Sequence, residues 1–210
     1  LDDDSQIGCT AKILVQATWP HSSAAGKELT LRNGELTVHM YSPYGLPYGV
    51  NPRLIMCWMT QEAKFRDKLY PLDEARMIPL DASLSGFMRK LGLPITGGQK
   101  GTIRSLEEQL KRMIGTSIVV ERNTNDGEKI GLHHEATVLI DKATLWWDAR
   151  QPDQGTLETS RLRLTREFFN ELVASPVPLN MDILGEVRKS PLAIDIYTWL
   201  TYRLSYLRVP

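Results

Sequence analysis

Two neighbouring stretches decide the fold: DASLSGFMRKLG at 81–92 and TIRSLEEQLKRMIG at 102–115. In the first, Leu84, Phe87, Met88 and Leu91 fall at i, i+3, i+4 and i+7, the apolar stripe of a helix. Ser83 is placed to cap it by accepting a bond from a first-turn amide. Gly92 can end it in the left-handed conformation. In the second, Ile103, Leu106, Leu110, Met113 and Ile114 share one side. Arg104, Glu107, Glu108, Lys111 and Arg112 share the other, and Glu107–Lys111 and Glu108–Arg112 are i,i+4 pairs in the favourable order. The start has two readings: Thr102 opens the helix early, or Ser105 with Glu108 makes a capping box. Gly115 stops it.

Two helices joined by a turn are the core of helix-turn-helix DNA readers, whose second helix enters the major groove. The connection at 93–101 is longer than that of the simple motif. After Gly115, residues 116–122 alternate and include β-branched Ile118, Val119 and Val120, so a strand is expected. Asp126-Gly127 reads as a turn, and 131–145 as a second strand region around Val138, Leu139 and Ile140. Helix, turn, helix, hairpin is the order of a winged helix. The hairpin would be the wing, with Arg122, Asn123, Asn125 and Lys129 at its tip. The plain alternative is an ordinary hairpin loop, where such residues are common.

Upstream, residues 1–26 show little periodicity and read as an N-terminal arm, with 11–17 as an edge strand. Leu29 and Leu31 precede Asn33-Gly34, and Leu36, Val38 and Met40 follow, a hairpin signature. A loop at 42–52 leads into a helix with Asn51 as cap and Pro52 in the first turn. Trp58 on that helix reads as a core anchor rather than a base-stacking platform. Residues 67–80 are a polar connection. Downstream, Trp146-Trp147 ends a strand, 157–164 is a third strand, and Thr165 caps a helix carrying Phe168, Phe169, Leu172 and Val173. A short helix is expected at 179–189. Ser190-Pro191 opens the last one, with Ile194, Tyr197, Trp199 and Leu200 inside or half inside.

The 210 residues, 42% hydrophobic, suffice for one large domain or two small ones. No run of 18 apolar residues exists, and the start lacks the pattern of a secretory signal. The chain begins without Met, and a piece of a longer protein is expected. Two cysteines point to a reducing compartment, and a cytoplasmic location is expected. Charge is balanced at 25 basic and 25 acidic residues, which argues against a polycationic coat but leaves room for a local basic face.

No catalytic arrangement survives inspection, so no enzyme and no cofactor is expected. Gly97-Gly98-Gln99-Lys100-Gly101-Thr102 fails as a phosphate loop because Gly follows the Lys. His133 and His134 are adjacent, which puts them on opposite faces of a strand. No zinc spacing exists among Cys and His, and no metal site is expected.

Together, several motifs resemble the plasmid-encoded RepA family of replication initiators. They are Leu46-Pro47-Tyr48-Gly49, Pro52-Arg53-Leu54, Trp58, Thr60 and Glu62-Ala63, then Ser83-Leu84-x-x-Phe87 with Leu91-Gly92. Gly97-Gly98-x-x-Gly101-Thr102, Leu106, Gln109-Leu110, Arg112 and Trp146 continue the likeness. Ser190-Pro191-Leu192-Ala193-x-Asp195-Ile196-Tyr197-x-Trp199-Leu200-x-Tyr202-Arg203 completes it. The resemblance implies a non-enzymatic initiator that binds repeated sites in a plasmid origin and loads host replication factors, an initiator and a helicase among them. It also implies a homodimer in which the 29–40 hairpin is a possible edge, and a second winged helix beyond residue 210.

The expected architecture is therefore α+β: a winged helix over 27–210, with an added N-terminal β-hairpin and C-terminal helices, after the 1–26 arm. The expected partner is double-stranded origin DNA, with no membrane. Lys100, Arg104, Lys111 and Arg112 would meet phosphate or guanine edges, as Lys and Arg do best. Thr102 and Ser105 would offer hydroxyls and amides to phosphate at the helix start. Arg122, Asn125 and Lys129 would grip the flanking backbone. A different class, a dimerisation or partner-docking module with little DNA contact, is the alternative that zero net charge favours.

Overall fold

The computed structural model describes residues 7–16, 18–23, 26–81, 83–96, 101–125, 130–146 and 160–205. It is a mixed helix-and-sheet fold, as expected. The chain opens with β1 (Ile7–Thr10) and α1 (Lys12–Gln16). Residues 12–16 are thus a helix and not part of the expected edge strand. Ala11 is fully buried and Trp19 is 1% exposed. The apolar side chains of this segment go under the C-terminal helices, which a local pattern does not announce.

A hairpin follows, β2 (Glu28–Asn33) and β3 (Leu36–Tyr41). Asn33 pairs with Leu36, so the central turn residues are Gly34 and Glu35, one place later than Asn33-Gly34. Gly34 has φ +60°, which suits the first central position of a hairpin turn that reserves it for glycine. Next, α2 (Val50–Asp67) runs through the middle of the molecule. Its cap position is Gly49 at φ +76°, not Asn51, whose amide instead bonds Ser105 Oγ at 3.1 Å. Ile55, Met56, Met59 and Ala63 on it are completely buried. Trp58 is half-buried and meets Phe87 edge-on, ring centroids 4.8 Å apart.

The stretch read as a connection contains α3 (Leu72–Ala75) and β4 (Met77–Pro79). The helix pair is α4 (Leu84–Lys90) and α5 (Thr102–Ile114). Ser83 Oγ accepts from the Gly86 amide at 3.1 Å, and Gly92 at φ +65° ends α4, both as read. Then come β5 (Ser117–Asn125), β6 (Ile130–Val138), β7 (Ile140–Thr144) and β8 (Arg161–Leu164). Thr165 caps α6 (Arg166–Ala174), with Phe168, Phe169 and Leu172 buried. The short helix expected at 179–189 is α7 (Met181–Val187), its first two residues belonging instead to the preceding β9 (Val177–Asn180). Last is α8 (Pro191–Ser205). On it Ile194 is buried, whereas Trp199 and Leu200 face solvent, against expectation.

Among the described residues the strands form three antiparallel sheets, ordered β1-β9, β2-β3-β5-β6 and β4-β8-β7. The hairpin expected as a wing pairs differently from that expectation. The β5–β6 hairpin belongs to the sheet of the N-terminal hairpin, with β5 paired to β3 from Leu36↔Arg122 to Tyr41↔Ser117. The sheet that backs the helix pair is β4-β8-β7. One continuous core joins α2, α4, α5, α6 and the inner face of that sheet. Each large apolar side chain buried there contributes about 1.5–3 kcal/mol.

Candidate nucleic-acid interface

α5 divides sharply. Leu106, Gln109, Leu110 and Met113 are buried, while Arg104, Ser105, Glu108 and Lys111 are exposed. The sequence dictates this, because apolar residues at i, i+4 and i+7 make one stripe and seven residues bring Arg104 and Lys111 back to the same outward face. Arg104 makes no hydrogen bond among the described residues. It does favour the charged form of Glu107, whose carboxyl burial pushes up. Lys111 Nζ lies 4.9 Å from the centre of the Tyr44 ring, a cation–π contact that leaves the ammonium in water.

Two of the expected contacts are taken up by the fold. Arg112 turns inward: Nη2 and Nε reach Glu108 Oε1 at 2.6 and 3.1 Å, and Nη1 donates to the Leu46 carbonyl at 3.0 Å. Its guanidinium lies over Tyr48, 5.0 Å from the ring centre. Beside it, the Tyr48 amide donates to Gln109 Oε1 at 2.8 Å. Arg112 thus holds the 45–48 loop on α5. Thr102 is likewise occupied. Its amide donates to Thr96 Oγ1 at 3.0 Å, its Oγ1 accepts from the Thr96 amide at 2.9 Å, and its hydroxyl donates to the Pro94 carbonyl. That exchange closes the loop before α5, so Thr102 has no amide left for phosphate. Gly101 is the cap position, and neither reading of the helix start provides a side-chain cap. Ser105 Oγ accepts from Asn51 and keeps its own proton to donate.

Arg122 is exposed but sits on the face of β5 that carries Ile118 and Val120. It lines a cleft of about 320 Å³ with Lys12, His133, Glu135 and Glu171, under α1 and α6. For Asn125 the backbone alone is described, paired with Ile130. Lys100 and Lys129 lie outside the described residues. His133 and His134 do take opposite faces: His134 Nδ1 meets Glu121 at 3.3 Å, and His133 lines the cleft. Among the described residues no group of His, Cys, Asp and Glu could hold a metal, and no helix is long and apolar enough to cross a membrane.

One charged group escaped the sequence reading. Lys142, Arg161 and Arg163 converge on the outer face of β4-β8-β7. The signal was the alternation Arg161-Leu162-Arg163-Leu164, but it becomes a patch only once β7 is paired beside β8.

The family described as Plasmid encoded RepA protein matches residues 46–209, from just before α2 through α8. The chain belongs to that family. Membership brings a role in the initiation of plasmid replication and, in general terms, dealings with origin DNA and the replication machinery. No curated protein matches the chain. Two crystal structures of domains 2 and 3 of RctB, one of them a selenomethionine derivative, share the fold. The TM-scores are 0.58 and 0.55 at 14% and 15% identity, over 92% and 93% of this chain and 69% and 70% of theirs.

Proposed function

We propose that this family member binds duplex DNA as a winged helix, laying the outer side of α5 in or over the major groove, and that it does so without catalysing a reaction. Support comes from element order. Leaving aside α3 and the inserted β5–β6 hairpin, α2, β4, α4, α5, β7 and β8 run along the chain as helix, strand, helix, helix, strand, strand, with β4 pairing β8. Most of the connection between β7 and β8, residues 147–159, lies outside the described residues. Ser160 pins the base of that connection by accepting from the Trp146 amide at 2.7 Å and donating to its carbonyl at 2.8 Å. The observation that carries the reading is that Arg104 and Lys111 stand exposed on one face of a helix whose other face is core. Sequence-specific recognition of repeated origin sites, and recruitment of a host initiator and helicase, extend the proposal on family grounds.

The test is a binding titration of the paired variant R104A/K111A across a salt series. Losing two phosphate contacts lowers the slope of log affinity against log salt by about 1.8. Unchanged affinity with an unchanged slope rejects α5 as the contact helix.

A second reading, self-association, has its own observation. Leu192, Ile196, Trp199, Leu200 and Leu204 form a stripe along α8 and are 44–60% exposed. Ile194 and Thr198 bury the opposite side of the helix, yet this apolar stripe is uncovered. Pairing this face with itself about a twofold axis buries on the order of 1,000 Å², the lower end of specific interfaces. Sedimentation of wild type against W199E/L200E decides it: a dimer that the variant dissociates supports it, and a monomeric wild type rejects it.

A further inference from the structure

The β4-β8-β7 sheet has one face in the core, where Ile78, Ile140, Leu162 and Leu164 are buried. Alternation along the strands sends Arg161 and Arg163 of β8 and Lys142 and Thr144 of β7 to the other face, beside Met77 of β4. These five residues line a depression of about 210 Å³. Register sets Lys142 directly opposite Arg163, and Thr144 opposite Arg161. Like charges facing each other across strands are destabilising. The ladder is irregular between Ile140 and Lys142, and Asp141 there reaches Arg163 Nε with Oδ1 at 2.6 Å and Arg76 Nη1 with Oδ2 at 3.2 Å. One carboxylate is thus shared by two guanidiniums. Lys142 and Arg161 have no hydrogen-bond or ion-pair partner among the described residues, and both are exposed.

A sheet that gathers three cations at a cost in stability, and leaves two of them unpaired, is built to receive an anion. The donor set fixes its chemistry. Two guanidiniums, an ammonium and the Thr144 hydroxyl match phosphate oxygens. Among the described residues the depression has no aromatic wall for a base and Met77 is its one large apolar residue, whereas protein partners gather aromatic and apolar anchors. We propose that this face is a second contact for the phosphodiester backbone of duplex DNA, separate from α5. The inference rests on the reading of the chain as a DNA binder and adds a surface to it.

The experiment uses the whole chain and a 30-base-pair duplex of arbitrary sequence, titrated by fluorescence anisotropy at several salt concentrations. Variants are K142A/R161A, the charge-keeping K142R/R161K, and R104A/K111A in parallel. The proposal expects K142A/R161A to weaken binding and to lower the salt slope by about 1.8, while K142R/R161K keeps the wild-type slope. Melting of K142A/R161A at or above the wild-type temperature establishes that the fold is intact. An unchanged slope in K142A/R161A with a lowered one in R104A/K111A overturns this proposal and leaves the α5 reading standing. No change in either variant overturns both. Should K142A/R161A bind the duplex normally but lose binding to polyglutamate, the face belongs to an acidic protein partner and the proposal falls.

Discussion

Arg53 and Asp195, 142 positions apart, meet in a two-pronged ion pair, Nε to Oδ1 and Nη2 to Oδ2, each at 2.6 Å. Arg53 also donates to the carbonyls of Gly49 and Trp19, both at 2.6 Å, and to Thr18 Oγ1 at 2.8 Å. His21 Nε2 lies 2.8 Å from Asp195 Oδ2. One guanidinium therefore fastens the N-terminal segment, the start of α2, and α8 together. Both residues fall in motifs by which the chain resembles its family, so those motifs mark a structural joint as well as a signature.

Removing one partner of this pair strands the other charge in a buried site. Arg53→Met or Asp195→Asn is expected to cost about 3–5 kcal/mol in urea unfolding. The double variant R53M/D195N should cost less than the two singles added together, since no charge is left alone. A single-variant loss below about 1 kcal/mol would show that water reaches the pair and that the joint is weak.

Arg112 and Arg104 lie on the same helix and should behave as opposites. Arg112→Ala removes charge-assisted bonds to Glu108 and Leu46 and should lower stability by about 2–3 kcal/mol. Arg104→Ala should stay within about 0.5 kcal/mol, as exposed positions do. Matching denaturation midpoints for the two variants would contradict the inward placement of Arg112.

Burial raises the Glu171 carboxyl above its ordinary value of 4.5, and Glu135 raises it further, while the Ile13 amide and Lys12 pull it back. The folded chain then holds this proton at a pH where the unfolded chain has released it. The stability it contributes is complete below the unfolded value and is lost as pH rises through the folded one. Glu171→Gln should abolish that loss, so the variant gains on wild type as pH climbs from about 4.5. Parallel stability–pH curves for the two proteins would count against it.

Cys9 and Cys57 are both buried and free. Burial pushes both thiols up, and for Cys57, where Cys9 adds to the rise, it reaches about 12. Neither should react with a disulfide reagent at pH 8 in the native protein, and both should react in denaturant. Fast labelling of the folded chain at either position would place that residue at an opening rather than in the core.

What the sequence discloses is what neighbours in sequence decide. Ser83, Gly92 and Thr165 mark helix ends because a cap is satisfied within three or four residues. The stripe of Leu106, Leu110 and Met113 names the buried side of α5 for the same reason. Pairing across long separations is silent. Residues 117–138 look like the wing of the helix pair because they follow it, and only the ladder with β3 assigns them elsewhere. Lys111 and Arg112 are equivalent in pattern, and the placement of Tyr48 and the Leu46 carbonyl is what separates them. Lys142 and Arg161 stand 19 positions apart, and register alone makes them a patch.

The ladder from Ile7↔Asn180 to Thr10↔Val177 closes the fold across nearly its whole length. During synthesis, the first strand emerges from the ribosome long before its mate is translated. Until the chain is made through residue 180, this ladder cannot form and the N-terminal strand has only α2 to pack against. Assembly of this molecule thus waits on the last fifth of these residues rather than proceeding from its beginning.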